Sequence, residues 1–574
     1  MAPSNSEIAG LFDQLAELLD IEGENPFRVR AYHNAARTIR SYPKSLAEMV
    51  AAGEDLTELP GIGEAIAKKI ETIVRTGRLP QLEQVLKRTP KSLLELLRIE
   101  GLGPKRVKTL FYLLKIKTLE DLERAARSGR IRELPGFGLK TEELILNHLQ
   151  KHALQEKRFL RFEAESVAEA ILAHLKGCPG LDRIEVAGSF RRWKETVGDL
   201  DILATVRDGG EVMARFLAYE GVEEVLSHGS TRSSVRLKNG LQVDLRVVPT
   251  ESFGAALQYF TGSKAHNIAL RTLAVKQGLK INEYGVFRAG ERLAGATEEE
   301  VYASLGLPWI APELREGLGE IEAALENRLP KLIELADLRG DLHCHTDATD
   351  GQDALEAMAE AAKALGYEYL AITDHSKRLT VARGLDEQRL RRQMEQIDAL
   401  NEKLQGIRLL KAIEVDILED GSLDLPERVL KDLDLTVCSV HYQFHLSAKK
   451  QTERILRAMD NPYFNILAHP TGRLINQRQA YEIDLERIMQ GARERGCILE
   501  INAQPERLDL DGEHCLMARE IGVKLAISTD AHSALGLNLM RYGVAQARRG
   551  WLSKDQIVNT YSLSKLRRLL KRTC

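Results

Sequence analysis

"GSFRRWKETVGDLDIL", residues 188–203, places two carboxylates, Asp199 and Asp201, at the start of an apolar run with a single residue between them. The run predicts a β-strand, and side chains at positions i and i+2 of a strand share one face. Both carboxylates are therefore expected to project together, while Leu200 and Ile202 point towards a core. Two carboxylates this close repel each other and raise one pKa unless a cation lies between them. The pattern favours a divalent metal site.

A third acid, Asp244, lies in "LQVDLRVV" (residues 241–248), another run with strand character. Oxygen ligands of this kind suit Mg²⁺, which one or two carboxylates hold together with water and substrate phosphate. Three acids on neighbouring strands can hold two metal ions, one at an attacking oxygen and one at a leaving pyrophosphate. The two acids of residues 199–201 alone would fit a solvated strand edge equally well, but the residues around them favour the metal site.

The length of the chain, 574 residues, predicts about three to four domains. A content of 44% hydrophobic and 29% charged residues is typical of a globular protein, and no apolar run approaches the roughly 18 residues of a membrane span. The acidic N-terminus does not resemble a signal peptide, and the six cysteines form no C-x-x-C pair. We therefore expect a cytoplasmic protein without a membrane partner. The net charge of −3 gives no global sign of nucleic-acid binding.

Three segments of the N-terminal third repeat one pattern, an apolar residue followed by Gly-x-Gly and an amphipathic helix. They are "LPGIGEAIAKKI" (59–70), "IEGLGPKRVKTL" (99–110) and "LPGFGLKTEELIL" (134–146). The glycines allow positive φ and close approach, so the N–H groups of the next helix can reach a phosphate. One copy would equally fit a tight helix connection, but three copies resemble the helix-hairpin-helix motif, which binds the DNA backbone. The residues expected to bind DNA are Gly61, Gly63, Gly101, Gly103, Lys105, Gly136 and Gly138.

Further motifs make a resemblance specific. The stretches "AGSFRRWKETVGDLDIL" (187–203), "VDLRVVP" (243–249), "LQYFTGSKAHNIALR" (257–271) and "INEYGVF" (281–287) resemble the palm and thumb of family X DNA polymerases. The likeness extends back through the first two hairpin motifs and forward to "LPWIAPELREG" (307–317). It implies that Asp199 and Asp201 bind both a nucleotide-binding and a catalytic ion, Mg²⁺ or Mn²⁺. It also implies that Asp244 binds the catalytic ion near the primer 3′-hydroxyl.

The same resemblance implies a nucleotide-binding set: triphosphate contacts, a "YFTGS" turn beside the sugar, and two side chains that read the nucleotide edge and the template. The set is Gly188, Ser189, Arg192, Gly198, Tyr259, Phe260, Gly262, Asn267 and Arg271. The sequence departs from well-known eukaryotic members at Lys264, where they carry an acid, and at Gln242, where they carry an arginine. Nucleotide affinity and fidelity are therefore expected to differ.

Lys69 matches the Schiff-base lysine with which the family removes 5′-deoxyribose phosphate. Ala65 stands where the family has a supporting lysine, whereas Arg28 and Tyr32 keep part of the pattern. A lyase needs a neutral amine, and hence a lysine of lowered pKa. Lyase activity at Lys69 and a surface lysine are equal alternatives.

From about Leu338 onwards, short apolar strands such as "IRLLKAIEVDIL" (407–418) alternate with amphipathic helices, a pattern typical of parallel β/α units and of a barrel. Nearly every strand ends in a potential metal ligand, and in a barrel such ends converge on one mouth. With "DLHCHTDATDG" (341–351), the set has six histidines and three acids, which suit Zn²⁺, Mn²⁺ or iron better than Mg²⁺. The set is His343, His345, Asp350, His375, Glu414, His441, His469, Asp530 and His532.

This region resembles the polymerase and histidinol phosphatase (PHP) domain as far as about Ser564. The resemblance implies three divalent ions, with Glu414 as the bridge, and hydrolysis of phosphate esters by a metal-bound water. The implied ligand groups are His343, His345, Glu414 and Asp530 for one ion; Asp350, His375 and His532 for a second; and Glu414, His441 and His469 for a third.

The order of these motifs predicts a multidomain α/β protein and resembles the bacterial-type family X DNA polymerase. It implies a gap-filling, template-directed repair polymerase that uses dNTPs on gapped or nicked DNA, with a barrel that acts as a 3′-5′ exonuclease, AP endonuclease or 3′-phosphatase. A monomer is expected. The alternatives are a barrel that hydrolyses small phosphate esters and a DNA-binding scaffold with one inert site. The expected domains are a lyase-like hairpin domain (1–87), a fingers-like hairpin domain (88–150), a nucleotidyltransferase palm with a mixed sheet (151–258), a thumb (259–317), a linker (318–337) and a distorted β/α barrel (338–574).

Overall fold

The N-terminal third is helical, as its periodicity predicts. The computed structural model describes residues 3, 5–42, 46–59, 61–97, 99, 101–152, 158–206 and 209–571. One hydrophobic cluster runs from Ile8 to Ile145 and joins both hairpin regions. The helices are α1 (Asn5–Glu22), α2 (Pro26–Ser41), α3 (Leu46–Ala52), α4 (Glu64–Thr76), α5 (Pro80–Leu86), α6 (Leu93–Leu96), α7 (Pro104–Leu114), α8 (Leu119–Arg127) and α9 (Leu139–His152).

A mixed five-stranded sheet forms the next unit, in the order β2-β4-β7-β6-β5. Strands β4 and β7 run parallel, whereas the other neighbours in this sheet are antiparallel. The elements are β1 (Phe159–Leu160), α10 (Arg161–Lys176), β2 (Leu181–Val186), α11 (Gly188–Arg191), β3 (Thr196–Val197), β4 (Asp199–Val206), α12 (Gly209–Leu217), β5 (Val222–Ser227), β6 (Arg232–Leu237) and β7 (Gln242–Val247).

The thumb region packs helices against a small antiparallel sheet, β10-β9-β8. A Cβ at Gly254 would lie 2.1 Å from the backbone of Thr297, so glycine is what lets these two segments touch. The linker range 318–337 contains a helix, and its Ile321 and Ala324 belong to the thumb cluster. The elements are α13 (Phe253–Thr261), α14 (Lys264–Lys276), β8 (Lys280–Asn282), β9 (Gly285–Arg288), β10 (Glu291–Ala294), α15 (Glu298–Ala303) and α16 (Glu320–Leu325).

The C-terminal region alternates strands and helices. Its strands are β11 (Gly340–Cys344), β12 (Tyr369–Ile372), β13 (Arg408–Lys411), β14 (Glu414–Asp416), β15 (Val437–Ser439), β16 (Ile466–Leu467), β17 (Ile498–Asn502) and β18 (Lys524–Ser528). Its helices are α17 (Leu355–Ala364), α18 (Glu387–Asn401), α19 (Glu427–Leu430), α20 (Ala448–Met459), α21 (Leu485–Arg495), α22 (Gly512–Ile521), α23 (Met540–Arg549) and α24 (Leu563–Leu570). Short 3₁₀ helices in the chain span Leu56–Glu58, Thr250–Ser252, Pro312–Leu314, Leu335–Asp337, Thr380–Ala382, Ala534–Leu539, Lys554–Gln556 and Val558–Thr560.

These strands form two parallel sheets, β11-β12-β13 and β14-β15-β16-β17-β18, that close into a distorted barrel. Single bridges join the two sheets, from Cys344 to Ala531 and from His375 to Glu414. The stretch "IRLLKAIEVDIL" was expected to be one strand, and that prediction was wrong. The strand is interrupted between Lys411, where β13 ends, and Glu414, where β14 begins, and this interruption places Glu414 beside His375.

The barrel packs directly on the palm and the thumb. Trp551 is 6% exposed and belongs to the hydrophobic cluster of the thumb, although it lies in the barrel region, two residues after the end of α23. Ion pairs reinforce the interface, and three of them come from one helix, α23. The pairs are Arg541–Glu165 at 2.8 Å, Arg548–Glu313 at 2.7 Å, Arg549–Glu316 at 3.0 Å and, from a loop, Arg473–Glu195 at 2.9 Å. In the described ranges, no helix is long and apolar enough to cross a lipid bilayer.

The palm and thumb share a buried ion network around Glu298. Arg315 is fully buried and donates to this carboxylate at 2.6 Å, and Arg191 donates to it at 2.8 Å. Burial would raise the pKa of Glu298, but Arg191 and Arg315 outweigh it and lower the pKa to about 2.

We expect Glu298→Gln to destabilise the protein by about 3–5 kcal/mol, because it leaves the Arg315 charge buried without a counter-ion. Thermal unfolding at neutral pH measures the effect. Glu224→Gln is the matched control: Glu224 pairs with Arg236 at 2.6 Å on the surface, where loss of a pair costs under about 1 kcal/mol. Equal midpoints for the two variants would contradict the prediction.

Candidate active site and metal centre

The three predicted palm acids lie together at one end of two parallel strands. Asp201 of β4 is the register partner of Asp244 in β7, and Asp199 opens β4 two residues earlier. Asp244 is buried, and its carboxylate accepts hydrogen bonds from Arg232 at 2.9 Å and Gln242 at 3.1 Å. Burial, and then the charges of Asp199 and Asp244, raise the pKa of Asp201 to about 6. Mutual repulsion among three acids is the electrostatic condition that a bound cation relieves.

Gly188 lies directly against these acids. Its φ of +65° is in the left-handed region, and a Cβ there would lie 2.9 Å from Oδ2 of Asp201. Any side chain at this position would therefore displace the carboxylate or strain the backbone. The Gly-Ser turn is thus a physical requirement of the acidic site.

An open cleft of about 1380 Å³ covers this end of the sheet. Asp199 and Asp201 line it, together with Lys194, Lys264 and Glu316, whereas the buried Asp244 is not among the described residues of its walls. The structure brings the whole predicted nucleotide-binding set to the walls of this one cleft. The set is Gly188, Ser189, Arg192, Gly198, Tyr259, Phe260, Gly262, Asn267 and Arg271.

Hydrogen bonds hold the far wall of the cleft in place. Gly262 ends α13 with φ of 66° and ψ of −148°, which reverses the chain between α13 and α14. Asn267 on α14 donates to the Tyr259 carbonyl at 2.7 Å and accepts from Gln258 at 2.8 Å. The rings of Tyr259 and Phe260 meet edge to face, with their centroids 5.1 Å apart. This wall is pre-organised rather than loose.

Asp201→Asn is expected to stabilise the metal-free protein at neutral pH. The carboxyl of Asp201 has a pKa of about 6 in the folded protein against an ordinary value of 3.8, so the free-energy cost of holding it ionised grows as the pH rises through this window and is fully present above it. The gain above pH 6 is about 2–3 kcal/mol and vanishes near pH 4. Thermal midpoints in chelator at both pH values measure it. An excess of Mg²⁺ should reverse the order, because only the wild type keeps the full ligand set; a gain that persists at pH 4 would contradict the assignment.

The hairpin turns repeat the same backbone conformation at corresponding glycines. Gly61, Gly101 and Gly136 have φ values of 73°, 84° and 81°. Gly63 and Gly103 cap α4 and α7 with nearly identical φ of −81° and −80°. A Cβ at Gly61, Gly63, Gly103, Gly136 or Gly138 would meet open space, and Lys105 is exposed beside them. The turns therefore present accessible backbone, as binding to a phosphate chain requires.

Lys69 lies on α4 close to Tyr32. Its amine donates to the carbonyl of Ala65 at 3.1 Å and lies 5.8 Å from the centroid of the Tyr32 ring. These contacts place the amine beside the aromatic residue that keeps part of the family pattern. Lyase activity stays a prediction.

The nine predicted ligands of the barrel converge on one site around Glu414. The carboxylate lies 2.7 Å from His375, 3.1 Å from His469 and 3.4 Å from His441. It is also 3.5 Å from His343 and 3.6 Å from His345. Asp530 contacts His345 at 3.1 Å. Asp350 contacts His375 at 3.5 Å and His532 at 3.4 Å.

Three groups of these residues have ligand atoms within 4.8 Å of one another. These groups differ from those predicted from the sequence, because His345 and His375 each belong to two of the groups in the structure. The assignment of ligands to individual ions therefore stays a prediction. The groups are His345, Asp350, His375 and His532; His343, His345 and Asp530; and His375, Glu414 and His441.

The buried polar atoms of this site fit a set of metal ligands. Within residues 209–571, several buried donor and acceptor atoms of this site lack a hydrogen bond of suitable geometry, although they lie within 3.9 Å of another such atom: Nε2 of His343, Nδ1 of His345, Oδ1 of Asp350, Nδ1 of His375 and Oε2 of Glu414. Orphaned buried polar atoms are costly, and a shared cation satisfies all of them at once.

Electrostatics at Glu414 agree with a cation site. Burial would raise the pKa of this carboxyl, but His375, His441 and His343 hold it well below its usual range. Burial and the neighbouring His532 and His375 lower the pKa of His345 to about 4, so this imidazole is neutral near pH 7. Burial would lower the pKa of His343 and of His375, but the neighbouring carboxylates raise it well above its usual value, so a cation that binds here would displace the protons of these imidazoles.

Sequence reasoning missed the residues that orient these ligands. Glu500 accepts from the ring of His343 at 2.7 Å and from the backbone N–H of His469 at 2.7 Å. Asp416 lies 3.0 Å from Nδ1 of His441. Such carboxylates fix the tautomer and direction of a ligating imidazole. Glu500 and Asp416 follow apolar strand residues just as the ligands do, so the acid near each strand end was the available signal.

Family models match four segments of the chain. They are a helix-hairpin-helix domain at residues 3–79, a SAM-like helix-hairpin-helix tandem at 93–151, a DNA polymerase beta thumb at 256–316 and a PHP domain at 341–504.

Known proteins match the whole chain or large parts of it. The DNA polymerase/3′-5′ exonuclease PolX of Bacillus subtilis (strain 168) is 39% identical over 570 residues, which cover 99% of each chain. A probable phosphatase of Thermoanaerobacter sp. (strain X514) is 29% identical over 242 residues, 40% of this chain and 94% of the relative. DNA polymerase lambda of Rattus norvegicus is 26% identical over 344 residues, 54% of this chain and 56% of the relative.

The fold and its two acidic sites define a class: DNA-binding hairpins, a nucleotidyltransferase palm and thumb, and a PHP barrel with a metal-binding set of side chains. The full-length match then settles the family. The chain belongs to the bacterial-type family X DNA polymerases that carry a C-terminal PHP domain. The predicted fold class, a helical N-terminal region followed by a mixed sheet and a PHP barrel, is confirmed.

Proposed function

We propose that this protein is a template-directed DNA repair polymerase that fills short gaps and also processes DNA 3′ ends in its barrel. The observation that carries the proposal is the pairing of Asp201 with Asp244 beneath a cleft that holds the entire predicted nucleotide set. As a monomer, the chain would bind gapped or nicked DNA through the phosphate backbone at its exposed hairpin turns.

In the palm, Asp199, Asp201 and Asp244 would hold Mg²⁺ or Mn²⁺, which neutralise the triphosphate and lower the pKa of the primer 3′-hydroxyl. The side chains of the protein position the substrate. Arg232 and Gln242 fix the direction of the Asp244 carboxylate through hydrogen bonds of 2.9 Å and 3.1 Å. Such positioning of reactants supplies a large part of a catalytic rate.

The cleft walls would select and orient the nucleotide. The triphosphate would lie against Gly188, Ser189 and Arg192, where the absence of a Cβ at residue 188 permits close backbone approach. The edge-to-face rings of Tyr259 and Phe260, next to the reversal at Gly262, would flank the sugar and leave little room for a ribonucleotide hydroxyl.

In the barrel, the nine converging residues would hold three divalent ions, Zn²⁺, Mn²⁺ or iron, which activate water and stabilise charge on the leaving oxygen. Glu500 and Asp416 bind one nitrogen of His343 and of His441, which directs the other nitrogen towards Glu414. We propose that the substrate is a phosphodiester or phosphomonoester at a DNA 3′ end, because trimming an end and then extending it uses both sites in sequence.

A second candidate for the barrel is hydrolysis of small phosphate esters, which the similarity to a probable phosphatase favours. One set of reactions separates the two. The protein is incubated with gapped DNA that has a 3′-hydroxyl, a 3′-phosphate or an abasic site, with and without dNTPs, in Mg²⁺ and in Mn²⁺, and in parallel with p-nitrophenyl phosphate. Extension of the hydroxyl end and removal of the blocked end support the proposal. Turnover of the small ester without action on DNA ends would reassign the barrel, and failure to extend any primer would overturn the polymerase assignment.

A further inference from the structure

Helix α23 of the barrel reaches the wall of the polymerase cleft. Arg549, its last residue, is 8% exposed. Nη1 of Arg549 donates to Oε1 of Glu316 at 3.0 Å and to the backbone carbonyl of Arg192 at 2.9 Å. Glu316 and Arg192 both line the cleft, and Arg192 is one of the predicted triphosphate contacts. A residue of one domain therefore holds two residues of the other domain's site.

Glu316 gathers three cations beside the expected position of the triphosphate. Its carboxylate lies 3.1 Å from Nε of Arg192, 3.0 Å from Arg549 and 3.9 Å from Nζ of Lys194. Burial would raise the pKa of Glu316, but Arg192 and Arg549 hold it below its usual range, so the group is charged. Three positive charges around one negative charge leave a net positive site, which attracts a polyanion.

The same contacts fix the direction of the Arg192 guanidinium. Its Nε donates to Glu316, its Nη1 donates to the carbonyl of Thr261, and its own backbone carbonyl accepts from Arg549. A guanidinium binds phosphate through a planar fork, so its orientation decides how well the two surfaces fit. Without Arg549, Glu316 would pair with Arg192 and Lys194 alone, and the site would lose one positive charge.

We propose that Arg549 is a positioning residue for the polymerase reaction: through Glu316 and the backbone of Arg192, the barrel sets the affinity of the palm for the incoming nucleotide. This inference rests on the proposed polymerase function. It concerns the cleft and not the metal centre of the barrel, because the contacts that carry it join Arg549 to Glu316 and to the backbone of Arg192, both in the cleft wall.

The test compares variants in single-nucleotide gap filling. We expect Arg549→Gln to raise the KM for dNTP about tenfold, the usual scale for loss of one charge-assisted hydrogen-bonded contact, and to change kcat by less than about threefold. Arg549→Lys keeps the charge and should recover part of the affinity. Cleavage of a 3′ end by the barrel should be unchanged in both variants.

Arg541→Gln is the matched control. Arg541 lies on the same helix and makes an ion pair of 2.8 Å with Glu165 across the same interface, but in the described ranges no hydrogen bond or ion pair joins it to a residue that lines the cleft. Its replacement should leave the KM for dNTP unchanged. A double variant, Arg549→Gln with Glu316→Gln, should be no worse than the more affected single variant, since residues that act through one another are not additive.

Three outcomes would overturn the inference: an unchanged KM in Arg549→Gln, an equal rise in Arg541→Gln, or strictly additive effects in the double variant. If Arg549→Gln does not fold, which circular dichroism shows, Arg549→Lys against Glu316→Gln answers the same question. A wild-type protein that fails to extend primers would instead reject the polymerase function, so the two failures are distinguishable.

Discussion

Replacing Asp199 and Asp201 together by alanine is expected to abolish primer extension, with a loss of at least about 10³-fold, or roughly 4 kcal/mol of transition-state stabilisation. The two carboxylates share one strand face, and Asp201 pairs in register with the third acid, Asp244. Their removal leaves Asp244 as the last of the three acids, which is too few to bind and place metal ions beside a triphosphate. Incorporation of one labelled dNTP into gapped DNA in Mg²⁺ measures the loss.

Glu185→Ala is the control for this variant. Glu185 is exposed on β2 of the same sheet, next to β4, and does not line the cleft. The Glu185→Ala variant should extend primers at the wild-type rate. The double alanine variant should still cleave 3′ ends, since the barrel ligands lie in a separate sheet. Wild-type extension by the double variant would reject the palm as the site of nucleotidyl transfer.

Glu414→Gln is expected to abolish hydrolysis of DNA 3′ ends, by about 10³-fold, and to leave primer extension within about twofold of the wild type. Its carboxylate contacts five imidazoles, from His375 at 2.7 Å to His345 at 3.6 Å, so no other residue of the site joins as many ligands. The amide keeps the shape but removes the charge that ion binding requires. Elemental analysis of the purified protein should show a lower content of transition metal.

His445→Ala is the matched control, because His445 is exposed and contributes to none of the ligand groups in the described part of the chain. It should keep both metal content and nuclease activity. The assignment fails if Glu414→Gln retains full metal content and full activity. A loss of primer extension together with nuclease activity would mean that the two sites do not act independently.

The sequence predicted the palm well because strand periodicity and local motifs act over short distances. Asp199 and Asp201 lie two residues apart, and the parallel register of β4 with β7 then places Asp244 beside them. The break between β13 and β14 was not predictable, since Ala412 and Ile413 continue the apolar run and neither glycine nor proline marks the interruption. The interruption accompanies a tertiary contact, the bridge between His375 and Glu414, which no local pattern of residues encodes.

The contacts between the domains had no signal in the sequence. Arg549 and Glu316 are 233 residues apart, and each looks like one more charged residue in a chain with nearly balanced charge. Such a pair becomes visible only when the surfaces of two domains meet. The same holds for Glu500 at His343, where distance along the chain hides a contact of 2.7 Å.

The position of Trp551 has a consequence for heredity. This side chain belongs to the barrel segment but fills the hydrophobic cluster of the thumb. A frameshift or deletion that removed the gene's last part would therefore cost the cell more than end-trimming: the thumb cluster would lose the side chain of Trp551, and the gap-filling half would be left with an open apolar surface. We therefore expect such mutations to impair both activities together, so that the two would be inherited as one unit.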